Sequence, residues 1–230
     1  MYFPSMHDPL FIWVIIVFGL SLLAQLGVQS AFNKWSRVAS KRGMTAAEVA
    51  RSILNSSGLG DMPVNQTPGR LTDHYDPVKK TLNLSESVFS SSSVAAIGIA
   101  AHEAGHAIQH RTSFAPMVLR NGIYPLARLG TTLSYILFLV GIFMSSLHFL
   151  TTIAIYLFAF FTLFTIITLP VEFDASRRAK LVLAEEGYLS EREMSGVNAV
   201  LNAAAMTYVA AAAMAIVQLL RLILLSRSRD

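Results

Sequence analysis

The chain has 230 residues, of which 53% are hydrophobic and 14% charged, with a net charge of +4 and no cysteine. Soluble domains carry about 25% charged residues; here the deficit falls in uncharged blocks, which excludes an ordinary soluble globule and predicts membrane spans. Disulfides and thiolate metal sites are excluded, and so is nucleic acid as a partner, because the basic residues are scattered beside apolar runs in the usual membrane pattern.

Residues 10–28 form the first uncharged run, about 28 Å long as a helix and enough to cross a hydrocarbon core. No basic stretch precedes it and no small-x-small cleavage site follows, so it reads as a retained anchor rather than a signal peptide. Lys34, Arg37, Lys41 and Arg42 follow and should stay in the cytoplasm. Only Asp8 and the amino terminus carry charge before the run, which puts the N-terminus outside. Thr45-Ala46-Ala47-Glu48 has the pattern of a capping box, opening a helix that ends near Ser57 with Gly58 as its stop. Between residues 60 and 80, Pro63, Pro68, Gly69, Asp73, Asp76 and Pro77 break any helix. Residues 81–85 alternate polar and apolar, which predicts a short strand. As an edge strand beside the next helix it could pair with an extended substrate through backbone hydrogen bonds; a plain hairpin without substrate contact fits the pattern equally well.

Ser90, Ser91, Ser92 and Ser93 offer N-caps for a helix running from about Ser93 to His110. It contains His102-Glu103-Ala104-Gly105-His106, an HExxH pattern. Positions four apart share a helix face, so both imidazoles can meet one ion. Glu103, about 100° around the helix, lies beside that ion, where a carboxylate can take a proton from water. This is the arrangement of zinc hydrolases: two ligands and one general base. The bland alternative is an alanine-rich core helix with two satisfied histidines. His110 is no third ligand, since His102 and His110 would sit about 12 Å apart along one stripe. The metzincin pattern fails too, because it needs Gly at Gln109 and His at Thr112.

Arg111, Arg120 and Arg128 keep the following chain on the inner side. Residues 129–147 and 149–169 are two uncharged apolar runs separated at His148, predicting a tight hairpin with His148 at its outer turn. The segment after it carries Glu172 and Asp174, carboxylates that are costly at a membrane edge unless paired or metal-bound. Arg177, Arg178 and Lys180 could pair with them. Because the hairpin leaves and re-enters at one face, Glu172 could instead return to the HExxH helix. Two His and a Glu leave a fourth zinc position open for water. Residues 181–195 are acidic and helical with Gly187 as a break, and residues 203–220 form a fourth apolar run before Arg221. A full crossing would leave Arg221, Arg227 and Arg229 outside, against the positive-inside tendency; the helix either tolerates this or lies against the bundle. The expected layout is thus an anchor (1–32), a cytoplasmic part with short strands and the HExxH helix (33–122), a transmembrane hairpin (123–170), a ligand-bearing helical segment (171–202) and a membrane-embedded apolar helix (203–230).

These residues resemble the YugP-like family of bacterial membrane zinc metallopeptidases. The resemblance is carried by the N-terminal span, Asp73-His74-Tyr75-Asp76-Pro77, the run HEAGHAIQH ending at His110, residues 170–176, and residues 203–213 with Tyr208 among them. More distantly the chain is similar to heat-shock membrane proteases and CAAX prenyl proteases, whose third zinc ligand is a Glu on a later helix. The resemblance implies a mainly α, multi-pass protein of the bacterial inner membrane, with a gluzincin-like zinc site facing the cytoplasm and a short β element before the HExxH helix. It carries over His102 and His106 as ligands, Glu103 as general base and Glu172 as third ligand of one Zn2+ per chain. The distant relatives place an Asp four residues after the ligand Glu, where this chain has Ser176. The nearby acid is Asp174, which could orient a ligand His or simply pair with Arg177 or Arg178. His74 and Tyr208 are candidates to donate a hydrogen bond to the oxyanion.

The expected function is a membrane-anchored zinc endopeptidase acting at the cytoplasmic membrane surface on a peptide or protein substrate, membrane proteins included. An intramembrane site-2-type protease would bury HExxH in a span and carry an Asp-Gly ligand motif, which this chain lacks. A non-catalytic haem carrier would need histidines on opposing helices, and here both lie on one.

Overall fold

A computed structural model describes residues 9–227; the expected external N-terminus with Asp8, and Arg229 near the other end, lie outside the described residues. In chain order the elements are α1 (Pro9–Trp35), α2 (Ala46–Ser56), β1 (Val64–Thr67), β2 (His74–Asp76), β3 (Thr81–Ser85), α3 (Glu86–Phe89), α4 (Val94–Arg111), α5 (Ala115–Phe143), a 3-10 turn (Ser145–Leu147), α6 (Phe149–Glu185) and α7 (Glu191–Arg227). The protein is mainly helical, and α1, α5, α6 and α7 are long and apolar enough to cross a membrane. The described chain divides into two compact units: one within Met1–Leu23, Pro116–Leu169 and Thr207–Asp230, the other Ala24–Ala115 with Pro170–Met206.

In the first unit small residues set the helix spacing. A Cβ on Gly130 would meet Leu157 O at 2.6 Å and one on Gly141 would meet Thr151 N at 2.8 Å, so α5 and α6 approach at glycines, the usual device where lipid gives helices no hydrophobic reason to associate. Phe138, Ala154, Phe158 and Leu222 form the buried cluster.

The second unit combines helices with a small sheet. Thr45 accepts from Glu48 N–H and the Glu48 carboxylate reaches back to Thr45 N–H, a complete capping box for α2. Gly58, at φ +66°, turns the chain just beyond the helix end, a conformation that costs glycine least. The segment expected to be only helix-breaking also contains β1 and β2, of 4 and 3 residues, too short to show a period of two. The sheet order is β1-β3-β2, with β1 parallel and β2 antiparallel to β3. This corrects the expectation for residues 81–85: β3 is the central strand, both its edges are taken, and it cannot receive an extended substrate. Strand β2 lies against α4, through a hydrogen bond from Tyr75 to Glu103. Leu82 and Leu84 of β3 are fully buried, and the row Asn65, Asn83, His74 points outward by register.

Helix α4 begins where Ser93 Oγ accepts from Ala96 N–H at 3.3 Å and Val94 N–H finds Val38 O at 2.9 Å, filling two of the orphan positions at a helix start. Its alanines are buried on several sides: Ala95, Ala96, Ala100 and Ala104 are fully inaccessible. A helix dressed in methyl groups lets neighbours come close, and Gly105 is the extreme case. A Cβ there would lie 2.7 Å from Ala175 O, so α6 can bring its backbone against α4 only because residue 105 has no side chain. Gly105→Ala should therefore destabilise the fold by about 1–3 kcal/mol, the usual cost of overpacking, seen as a lower melting temperature of the purified protein.

Candidate metal centre

His102 and His106 stand one turn apart on α4, their rings edge to face with centroids 4.7 Å apart. Helix α6 supplies Glu172, whose Oε2 is 3.2 Å from His102 Nε2 and 3.5 Å from His106 Nε2. The three donor atoms lie within 4.8 Å of one another. A tetrahedral ion with bonds of about 2 Å separates its ligand atoms by about 3.4 Å, which is the spacing of Glu172 from each ring. Two imidazole nitrogens and one carboxylate oxygen form a donor set that suits zinc. The residues present fit the ion. Glu172 and His106 are buried, while the His102 side chain keeps 13% of its surface open.

The rings are aimed by neighbours of which the sequence reading singled out Asp174 but not Gln109 or Ser176. His106 Nδ1 lies 3.0 Å from Gln109 Oε1. Gln109 is fully buried, and its amide nitrogen donates to Val171 O at 2.7 Å and to Asp174 Oδ2 at 3.0 Å. Both amide hydrogens are thus spent on acceptors, so the amide oxygen faces His106, Nδ1–H donates to it, and Nε2 is the nitrogen left to face Glu172. Asp174 in turn receives Arg177 and, at 2.6 Å, Arg178 Nε. Its two expected roles are therefore one: it pairs with both arginines and reaches His106 through Gln109, which spans the gap that the phase of α6 leaves. Ser176 Oγ is 3.1 Å from His102 Nδ1, at the position where the distant relatives carry Asp. The spacing held a clue to both, since Gln109 is three residues after His106 and Ser176 four after Glu172.

Burial disfavours a charged His106, but the hydrogen bond and charge of Glu172, helped by Glu103 and Gln109, outweigh it and hold the imidazole pKa above its ordinary value. A proton and a metal ion compete for that nitrogen, so metal uptake releases the proton. Glu103 lies to the side, its Oε2 accepting from Tyr75 N–H at 2.9 Å. Burial pushes the Asp73 carboxyl up, against two hydrogen bonds from Ser85 and with the Glu103 charge adding to it. His110 stands apart from the triad, its Nδ1 2.7 Å from the Tyr75 hydroxyl. His74 is engaged at both ring nitrogens, Nδ1 at 2.9 Å from Thr72 O and Nε2 at 3.2 Å from Asn83 Nδ2. Tyr208 lies on α7, in the first unit.

The family described as "Putative neutral zinc metallopeptidase" matches residues 10–227. The chain belongs to this family. "Putative membrane protease YugP" of Bacillus subtilis (strain 168) is 46% identical over 217 residues, covering 94% of this chain and 96% of that protein. No solved structure gives a significant match. The YugP-like resemblance carried by HEAGHAIQH and its companion segments is thereby established over nearly the whole chain. In this chain the buried Gln109, backed by Asp174, supports one imidazole of the triad. Gln109→Ala should weaken zinc binding by about 10- to 100-fold, and Asp174→Ala should act in the same direction; metal titration against a competing chelator measures both.

Proposed function

We propose that the protein is a membrane-anchored zinc endopeptidase of the gluzincin type that hydrolyses peptide bonds at the cytoplasmic surface of the bacterial inner membrane. The observation that carries this reading is the convergence of His102 Nε2, His106 Nε2 and Glu172 Oε2, within 4.8 Å, with the Glu103 carboxylate beside them. The three donors would hold one Zn2+, which when bound would supply Lewis acidity for polarising a peptide carbonyl and acidifying a water molecule. Glu103 accepts the proton of the attacking water and passes it to the leaving amine. With Oε2 occupied by Tyr75 N–H, Oε1 is the oxygen that takes the proton. Gln109 and Ser176 keep the two rings from rotating. His74 and Tyr208 are assigned as candidate donors to the oxyanion; His74 must first release Thr72 O or Asn83 to serve.

The substrate is a peptide or protein, membrane proteins included, and the lipid bilayer is the second partner. Lys34, Arg37, Lys41 and Arg42 favour a cytoplasmic location for residues 33–122. An even-span hairpin over residues 123–170 returns residues 171–202, with Glu172, to the same side. Residues 1–32 then serve as the anchor and 203–230 as a membrane-embedded helix.

Glu103→Gln should abolish casein cleavage while zinc stays near one equivalent, because the side chain contacts water rather than the ion. Activity within tenfold of the parent, a barrier change under about 1.4 kcal/mol, contradicts the role. Glu172→Ala should lose zinc and activity together, and a chelator should silence the parent protein.

Sidedness has its own test. A reporter fused after Gly58 should behave as cytoplasmic and one inserted at Ser146 as external; the reverse pair of results moves the active site across the membrane.

A further inference from the structure

The segment Asp73-His74-Tyr75-Asp76-Pro77 has no part in holding the metal, yet every polar side chain in it is spent on fixing the strand β2. Asp73 accepts from Ser85 N–H at 2.7 Å and from Ser85 Oγ at 3.0 Å, tying the strand's start to the end of β3. His74 is held between Thr72 O and Asn83. Asp76 Oδ1 accepts from Val78 N–H at 2.9 Å and Lys79 N–H at 3.0 Å, closing the turn at the strand's end. The Tyr75 side chain runs the other way, off the sheet, and its hydroxyl meets His110 Nδ1 at 2.7 Å with the two rings edge to face. Tyr75 is buried and His110 half-buried, so the contact is partly withdrawn from water and orders both groups.

One backbone group is left over by this construction. In an antiparallel ladder every second residue turns its N–H and C=O away from the partner strand. At Tyr75, paired in register with Leu82, the outward N–H donates to Glu103 Oε2 at 2.9 Å. His110 and Glu103 sit about two turns apart on the same helix α4, so the side chain and the backbone of one residue grip that helix at two points. A strand of 3 residues is short enough that the loss of one grip moves the other.

We propose that Tyr75 and His110 are positioning residues for the reaction, a clamp that sets β2 against α4 so that the Tyr75 N–H fixes the rotamer of Glu103. The inference rests on the reading of Glu103 as general base. It gives His110, which looks in the sequence like a spare ligand, a role in catalysis that does not involve the ion. It also gives residues 73–77 a shared purpose in holding one backbone donor in place.

The test uses the full-length protein in detergent with casein as substrate, measuring kcat, KM, zinc content and melting temperature for Tyr75→Phe, His110→Leu and the double variant. Each single substitution should lower kcat by about tenfold, the rate equivalent of one lost hydrogen bond, with KM and zinc content unchanged. The double variant should be no slower than the worse single, because the two groups act as a pair. Unchanged kcat in both singles, losses that multiply in the double, or a kcat loss that follows zinc content or melting temperature each overturns the clamp. Should Tyr75→Phe fail to fold, His110→Leu decides alone: reduced kcat at full zinc supports the clamp and parental kcat overturns it. Failure here is separable from failure of the proposed function. If Glu103→Gln is inactive while both clamp variants keep parental kcat, only the clamp falls; if Glu103→Gln is active, the base assignment falls first.

Discussion

A carboxylate buried to within 4% of full enclosure needs a counter-charge, and Glu172 has been placed between two imidazoles to meet that need. Desolvating a carboxylate costs several kcal/mol, and the two imidazoles offset that cost only if they sit within about 3.5 Å of its oxygen. That condition dictates the rest of the second unit. The α6 backbone must press against α4, hence Gly105 under Ala175 O and a helix surface made of alanine methyls. Helix α4 must start at a defined residue, hence the Ser93 cap and the hydrogen bond to Val38. A cation bound among the three donors would complete the neutralisation and bind folding energy to metal binding.

The supports of the two rings differ, and charge explains the difference. His106 is oriented by Gln109, a neutral amide that passes the influence of Asp174 without bringing that charge to the ion. Asp174 is itself neutralised by Arg177 and Arg178. His102 is oriented by Ser176, also neutral. Glu103, Glu172 and Asp73 already bring three carboxyl groups to this part of the unit; burial chiefly raises the Asp73 pKa, and the Glu103 charge adds to it. An Asp at position 176 would add another anion to that cluster; a hydroxyl fixes the ring without doing so. Neutral orienting groups also leave the imidazoles less electron-rich than carboxylate partners would, so an ion bound there would be a stronger Lewis acid.

Two backbone groups take part in the site beside its side chains. The Glu103 carboxylate takes its hydrogen bond from Tyr75 N–H and the Gln109 amide gives one to Val171 O. Such contacts do not depend on which side chain occupies the position, so they persist only while β2 and α6 hold their distance from α4. A three-stranded sheet of short strands is a modest scaffold, and its pinning by Asp73, His74 and Asp76 compensates for its size.

Local pattern was enough for everything that repeats along the chain. Length and missing charge marked the four apolar helices, Thr45 and Glu48 the start of α2, and the four-residue spacing of His102 and His106 a shared helix face; each depends on neighbours within one or two turns. The parity of the apolar runs allowed Glu172 to return toward the HExxH helix but left pairing with Arg177, Arg178 or Lys180 open. Tertiary structure alone decided the rest. Short strands were expected within residues 33–122, but β1 and β2 could not be located because 3 or 4 residues carry no period, and the central place of β3 depends on pairing order, which residues 81–85 do not encode. Gln109 and Ser176 look like ordinary polar residues until α4 and α6 meet. The N–H of Tyr75 has no side-chain identity to read at all. What acts through periodicity is written locally; what acts through the approach of distant segments exists only once the chain has folded.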